Sequence, residues 1–129
     1  MQRWLASGLK EIEIEIWFGG NGSGWIELYE LKDDQFVSLS HNPDPDSPLI
    51  FKMPPKYGVR QMSIKTIAAD VGGNDLPVFI KVSQNGVVVP CDDGLGHIVN
   101  GDDPYRSLQF ADLAKHNSPS YFYFNVKFS

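Results

Sequence analysis

Cysteine is almost absent from this chain, which contains Cys91 and no other. A single cysteine cannot form an intramolecular disulfide, so the disulfide framework of many small secreted domains is excluded. The first residues are too poor in apolar side chains for a signal peptide, and no stretch approaches the roughly 20 apolar residues of a membrane helix. We therefore expect a cytoplasmic protein without a transmembrane segment, unless a targeting segment has been removed.

Positive charge is also scarce, since 11 Lys and Arg against 16 Asp and Glu give a formal net charge of −5. This sign is wrong for a protein that neutralises phosphates, so we expect no nucleic-acid partner. The acidity would favour a basic protein surface or a cation as partner, although a moderate negative charge more often serves only to maintain solubility. A length of 129 residues with 42% hydrophobic residues suits one domain with its own core, and we assign residues 1–129 to a single β domain.

Motifs for catalysis are missing as well. His41, His97 and His116 are scattered and lack the short spacing of a zinc site. Neither the G-x-S-x-G nor the H-E-x-x-H pattern occurs, and Cys91 as a nucleophile would need a histidine that sequence alone cannot place beside it. We expect a protein that is not an enzyme and has no resident cofactor.

Alternating apolar residues are abundant. From Ile12 to Phe18 a period of two places the apolar side chains on one face and glutamates on the other. We expect this strand to form a hairpin with the next run through the glycine-rich segment 19–24. Asn85-Gly86 predicts a second hairpin with a type I′ turn. Further strand-like runs lie at 25–30, 36–39, 49–51, 59–67, 78–83, 87–89 and 120–128, with a brief one around residue 98.

These runs predict a mainly β fold, and an antiparallel β-sandwich is preferred over a small barrel or a jelly-roll-like fold. The alternation in residues 120–128 predicts a strand in the interior of a sheet, where both ends of the chain contribute to one core. One short helix is expected near residues 104–115. Asp103-Pro104 would cap it, and apolar residues from Leu108 to Ala114 would form its stripe.

Paired aspartates in predicted loops are candidate ligands for Ca²⁺, which prefers carboxylate and carbonyl oxygens. The alternative is that they only form turns, since Asp-Asp and Asp-Pro pairs are common there and the calcium-loop pattern is absent. The candidate metal ligands are Asp44, Asp46, Asp92, Asp93, Asp102 and Asp103.

Aromatic and acidic side chains share the polar faces of several predicted strands. Such rings beside polar groups are typical of protein interfaces and of sugar-binding surfaces. The candidate interaction surface comprises Glu11, Glu13, Glu15, Trp17, Tyr121 and Tyr123, and Trp25 and Tyr29 have the same character. The alternative is that these rings cover the second layer of the sandwich. In that case, the assignment of residues to the two faces of each strand is off by one residue. We expect a non-enzymatic module that binds another protein, or alternatively a sugar- or lipid-binding sandwich assisted by calcium.

Overall fold

The computed structural model describes residues 2–19, 22–69, 72–92, 98–99 and 109–129, which form twelve β-strands in two sheets. The strands are β1 (Gln2–Ala6), β2 (Ile12–Phe18), β3 (Ser23–Lys32), β4 (Gln35–His41), β5 (Leu49–Met53), β6 (Gly58–Ala69), β7 (Leu76–Gln84), β8 (Val87–Val88), β9 (Cys91–Asp92), β10 (Ile98–Val99), β11 (Gln109–Ala114) and β12 (Ser120–Phe128). The mainly β prediction is confirmed. No helix among the described residues has the length and apolar character to cross a bilayer.

Two open sheets contribute to one hydrophobic core. The seven-stranded sheet has the order β10-β9-β1-β12-β6-β3-β4, and the five-stranded sheet has the order β11-β7-β2-β5 with β8 beside β7. Neither order returns to its first strand, so the described chain forms no closed barrel. Residues from both sheets join a single buried cluster, as in sandwich-like folds.

The alternation seen in the sequence decides which side chains are buried. In β2, Ile12, Ile14 and Ile16 are fully buried, whereas the intervening residues are partly exposed. In β6, Ile64 and Thr66 are fully buried in the same way. Because successive side chains of a strand point to opposite faces, one face of each sheet forms the core and the other is left for contact with ligands or solvent.

The two ends of the described chain lie side by side. β1 pairs in parallel with β12, and β12 pairs with β6 on its other side. Trp4 is fully buried and meets the Phe124 ring edge-on, with ring centroids 5.3 Å apart. The prediction that residues 120–128 form an interior strand and that both chain ends share one core is therefore confirmed. The parallel pair departs from the expected purely antiparallel arrangement.

The predicted hairpin between β2 and β3 is wrong, because the two strands belong to different sheets. β2 pairs with β5 and β7, whereas β3 pairs with β4 and β6. The glycine-rich segment carries the chain from one sheet to the other. A Cβ on Gly24 would lie 2.3 Å from the carbonyl oxygen of Ile67 on the adjacent strand β6 and 2.8 Å from the Phe18 ring of the other sheet, so there is no room for a larger residue at this position.

The predicted helix near residues 104–115 is also wrong where the structure describes it. Residues 109–114 form β11, which pairs with β7. The register shifts between Phe110 and Asp112, and such a bulge breaks the period of two and makes the apolar spacing look helical. Leu113 is 50% exposed and Ala114 is fully buried, which is the alternation of a strand. The expected cap at Asp103-Pro104 lies outside the described residues.

Two tight turns close hairpins between neighbouring strands. At Asn85 and Gly86, φ is 50° and 79°, positive at both positions as a type I′ turn requires, and the turn joins β7 to β8 as predicted. Asp33 and Asp34 also have positive φ, 51° and 62°, and they join β3 to β4. Aspartate tolerates this conformation better than most residues because its short side chain can bond locally.

Candidate functional site

The predicted interaction surface is divided between the two sheets. Glu13, Glu15 and Trp17 lie together on the outer face of β2, in the five-stranded sheet, and Glu11 is exposed just before that strand. Tyr121 and Tyr123 lie on the outer face of β12, in the seven-stranded sheet. The structure thus provides two separate surfaces.

Lysines from neighbouring strands lie opposite the glutamates of β2. Lys52 of β5 is in register with Glu13, and Lys81 of β7 is in register with Glu15. The Lys81 Nζ lies 3.2 Å from a carboxylate oxygen of Glu15. Cross-strand pairs of opposite charge offset one another, so this face is less acidic than the β2 sequence alone indicates.

The outer face of the seven-stranded sheet holds a shallow depression of about 250 Å³. Four adjacent strands supply its walls, and we call it the tyrosine depression. Its side chains are Tyr29 of β3, Phe36 of β4, Ser63 and Lys65 of β6, and Tyr121 and Tyr123 of β12.

Sheet register brings these side chains together. Ser63 is opposite both Tyr123 and Tyr29, so one row crosses three strands with a hydroxyl between two phenol rings. Lys65 is opposite Tyr121 in the next row. Tyr121 and Tyr123 are 54% and 52% exposed, and their phase on the sheet is the one predicted from the sequence, with the rings away from the core.

A carboxylate fixes the aromatic residues of β3. The Tyr29 hydroxyl and the Trp25 Nε1 both donate hydrogen bonds to the Glu27 side chain. Both hydrogen bonds lower the pKa of Glu27, and the bond from Tyr29 has the larger effect. The positive charge of the nearby Lys65 lowers that pKa further. The bond to Glu27 raises the pKa of Tyr29 to about 12. At neutral pH Glu27 is therefore an anion that holds the side chains on either side of it.

The Trp25 ring is also stacked against His41 of β4, with centroids 5.5 Å apart and an angle of 19° between the planes. Within the depression, the Phe36 and Tyr123 rings lie 5.9 Å apart. Contacts of this kind restrict side-chain rotation, so the face offers a largely preformed surface to a ligand.

No protein-family model, curated protein or solved structure matches this chain.

The predicted metal ligands are spread over the chain. Asp44 and Asp46 share the loop between β4 and β5, where the Asp44 carboxylate accepts bonds from the Asp46 backbone N–H at 3.1 Å and from the Ser47 hydroxyl at 3.0 Å. Asp92, on β9, is 3.1 Å from the Arg3 guanidinium. Among the described residues, no three acidic, histidine or cysteine side chains are grouped as metal ligands would be. Asp93, Asp102 and Asp103 lie outside the described residues.

Sequence analysis identified both tyrosines of β12 and noted Tyr29, but it missed the other members of the depression. The period of two in the run 59–67 predicts Ser63 and Lys65 on the face of their strand opposite Met62, Ile64 and Thr66. What the sequence did not reveal is that β6 lies between β12 and β3, which brings that face between the tyrosines. Phe36 gave no signal beyond a short apolar run.

Proposed function

We propose that this chain is a non-enzymatic binding module of β-sandwich form, and that its tyrosine depression binds carbohydrate. The observation that carries the proposal is the arrangement of exposed aromatic rings around Ser63 and Lys65 on one open sheet face. Sugars have an apolar C–H face and a rim of hydroxyls, so a site for them needs both flat rings and hydrogen-bonding groups.

The side chains of the depression meet both requirements. Tyr121 and Tyr123 offer exposed rings with little conformational freedom to lose, since a tyrosine side chain has only two rotatable angles. Lys65 supplies an ammonium group that can donate to sugar hydroxyls, and Ser63, which is 3% exposed between the rings, supplies a hydroxyl that can donate or accept. A depression of about 250 Å³ is small beside typical ligand pockets of roughly 300–1,000 Å³, which favours one or two sugar rings over a large ligand.

The first experiment is isothermal titration calorimetry of the protein with a panel of mono- and oligosaccharides. We expect at least one sugar of the panel to bind the wild-type protein. Its affinity should fall at least tenfold in the double variant Tyr121→Ala/Tyr123→Ala. Tyr57→Ala is the matched control, because Tyr57 is 64% exposed and lies outside the depression. Repeating the titration with Ca²⁺ and with EDTA tests whether calcium assists, as the loop aspartates suggest.

Two results would contradict the proposal. One is the absence of binding across the panel at millimolar sugar. The other is equal affinity for the double variant and the wild type, which would place any sugar site elsewhere.

A protein partner is the second candidate, and the edge strand β4 favours it. In the described chain no strand pairs with its outer edge, and Phe36 and Val37 are exposed there beside the depression. The run from Gln35 to Ser40 has no charged residue, and an uncharged edge is suited to strand addition by a partner. A partner captured by the wild type and lost in Val37→Lys, with sugar titrations negative, would support this candidate instead.

A further inference from the structure

A second cavity of about 250 Å³ lies on the other sheet, at the end of β2. Its walls include Glu15 and Trp17 on the outer face of that strand. The loop between β4 and β5 supplies the opposite wall with Pro45, Asp46, Ser47 and Pro48, and we call the cavity the Trp17 pocket.

The loop is held over Trp17 by hydrogen bonds. Asn42 is 1% exposed; its side-chain amide donates to the Ser47 carbonyl oxygen, and its side-chain oxygen accepts from the Asp44 N–H at 3.0 Å. The Gly24 N–H donates to the Pro45 carbonyl oxygen at 3.4 Å. Since Leu49 pairs with Ile16, the chain enters β5 directly beside Trp17. The Trp17 pocket is thus a built feature of the crossing between the sheets.

The lining combines negative charge with an aromatic ring. Glu15 and Asp46 contribute carboxylates, and among the described residues no lysine or arginine lines the cavity. Lys81 pairs with Glu15 from the neighbouring strand, outside the lining. Trp17 packs against Phe79 on that same side, with centroids 5.7 Å apart, so the indole is supported where it meets the pocket.

We propose that the Trp17 pocket binds an organic cation, a guanidinium or an alkylammonium group. Such cations are attracted to the face of a tryptophan ring and form ion pairs with carboxylates. The proline rings add apolar contact for the methylene or methyl groups that carry the charge. The source is the side chain of a basic peptide or a free small cation, and neither depends on the tyrosine depression.

The test is a titration of ¹⁵N-labelled protein followed by the indole N–H signals, with that of Trp17 assigned from Trp17→Phe. The probes are acetyl-arginine-amide, tetramethylammonium chloride and an arginine-serine hexapeptide, with acetyl-citrulline-amide as the neutral control. We expect saturable shifts of the Trp17 signal with the cations and none with citrulline. Tighter binding of the hexapeptide than of both small cations would identify a peptide as the source, and the reverse order a free cation.

Asp46→Asn should weaken binding at least fivefold, because it removes a charge from an exposed loop while leaving the backbone bond of Asp46 in place. Asp34→Asn, which removes an aspartate charge from another exposed turn, is the matched control and should leave the affinity unchanged. Tyr121→Ala/Tyr123→Ala should also leave it unchanged, which separates this proposal from carbohydrate binding. Three results would overturn the proposal. The first is an equal shift with acetyl-citrulline-amide, and the second is no shift with any probe at 20 mM, about the weakest binding of interest. The third is full affinity in Asp46→Asn.

Discussion

Glu27 is the residue on which the order of the aromatic face depends. It accepts hydrogen bonds from a phenol two residues after it and from an indole two residues before it, all on one face of β3. An i to i+2 spacing on a strand places side chains next to one another, so this cluster is local in sequence. An alternation of aromatic, glutamate and aromatic is therefore a signal that sequence analysis can use.

Replacing Glu27 should change the ionisation of Tyr29. The pKa of Tyr29 is raised from its ordinary value of 10.0 to about 12. The bond between the protonated Tyr29 hydroxyl and Glu27 therefore stabilises the fold fully below pH 10.0, and this stabilisation is lost as the pH rises through about 12. In Glu27→Gln we expect the pKa to fall back towards 10.0, because the neutral amide no longer favours the protonated phenol. Absorbance at the tyrosinate band during alkaline titration measures it, and Tyr29→Phe identifies the component. An unchanged titration in Glu27→Gln would show that Glu27 does not control Tyr29.

The limits of sequence analysis at this site come from neighbours that are distant in the chain. Tyr121 and Tyr123 were identified because their strand alternates regularly. Lys65 was placed on the correct face of its strand, yet nothing in the sequence indicated that Tyr121 lies opposite it. Strand alternation assigns faces, whereas the order of strands depends on which apolar faces pack best together in three dimensions.

At the scale of elements, most strands were predicted and their connections were less so. β2, β7 and β12 alternate strongly because each has one face in the core. β1 was missed because its apolar residues Trp4, Leu5 and Ala6 are consecutive and do not alternate with polar ones, β9 because it comprises two residues without a pattern, and β11 because its bulge disrupts the period. The glycine-rich segment after β2 was interpreted as a hairpin loop, since a loop of that length serves equally well for a turn or for a crossing between sheets.

Gly24 provides a test of the packing at the start of β3, where the chain lies against the adjacent strand β6 and the Phe18 ring of the other sheet. We expect Gly24→Ala to lower the free energy of unfolding by about 1–3 kcal/mol, because its new methyl group would press against a backbone oxygen that cannot move freely. Gly8→Ala is the control, since the nearest atoms to its added Cβ belong to the ring of the exposed Tyr57 and can swing away. Its effect should stay within about 0.5 kcal/mol. Urea unfolding measures both, and equal losses would argue against close packing around Gly24.

At the scale of the whole molecule, the stability of the seven-stranded sheet depends on strands from both ends of the chain. β1 lies between β9 and β12, and Trp4 is in register with Cys91 on one side and Val126 on the other. Trp4 is fully buried and Cys91 is 1% exposed. Any opening at β1 therefore exposes the thiol.

Cys91 should accordingly react slowly with a thiol reagent in the native protein at neutral pH. Trp4→Ala should lower the free energy of unfolding by about 3–5 kcal/mol and accelerate labelling, because it leaves a large cavity beside Cys91. Trp17→Ala is the control, since Trp17 lies on the outer face of the other sheet and should change the labelling rate little. Rapid labelling of the wild type would contradict this prediction and indicate an accessible, reactive thiol.

The position of β1 also affects the order of events during synthesis on a ribosome. β1 emerges before both of its strand partners, β9 and β12. At about 5–20 residues per second, roughly 6–24 s pass before β12 can join it. Throughout that interval the Trp4 side chain lacks the Phe124 ring and the β12 backbone that bury it in the folded protein, so the Trp4 side of the core closes late.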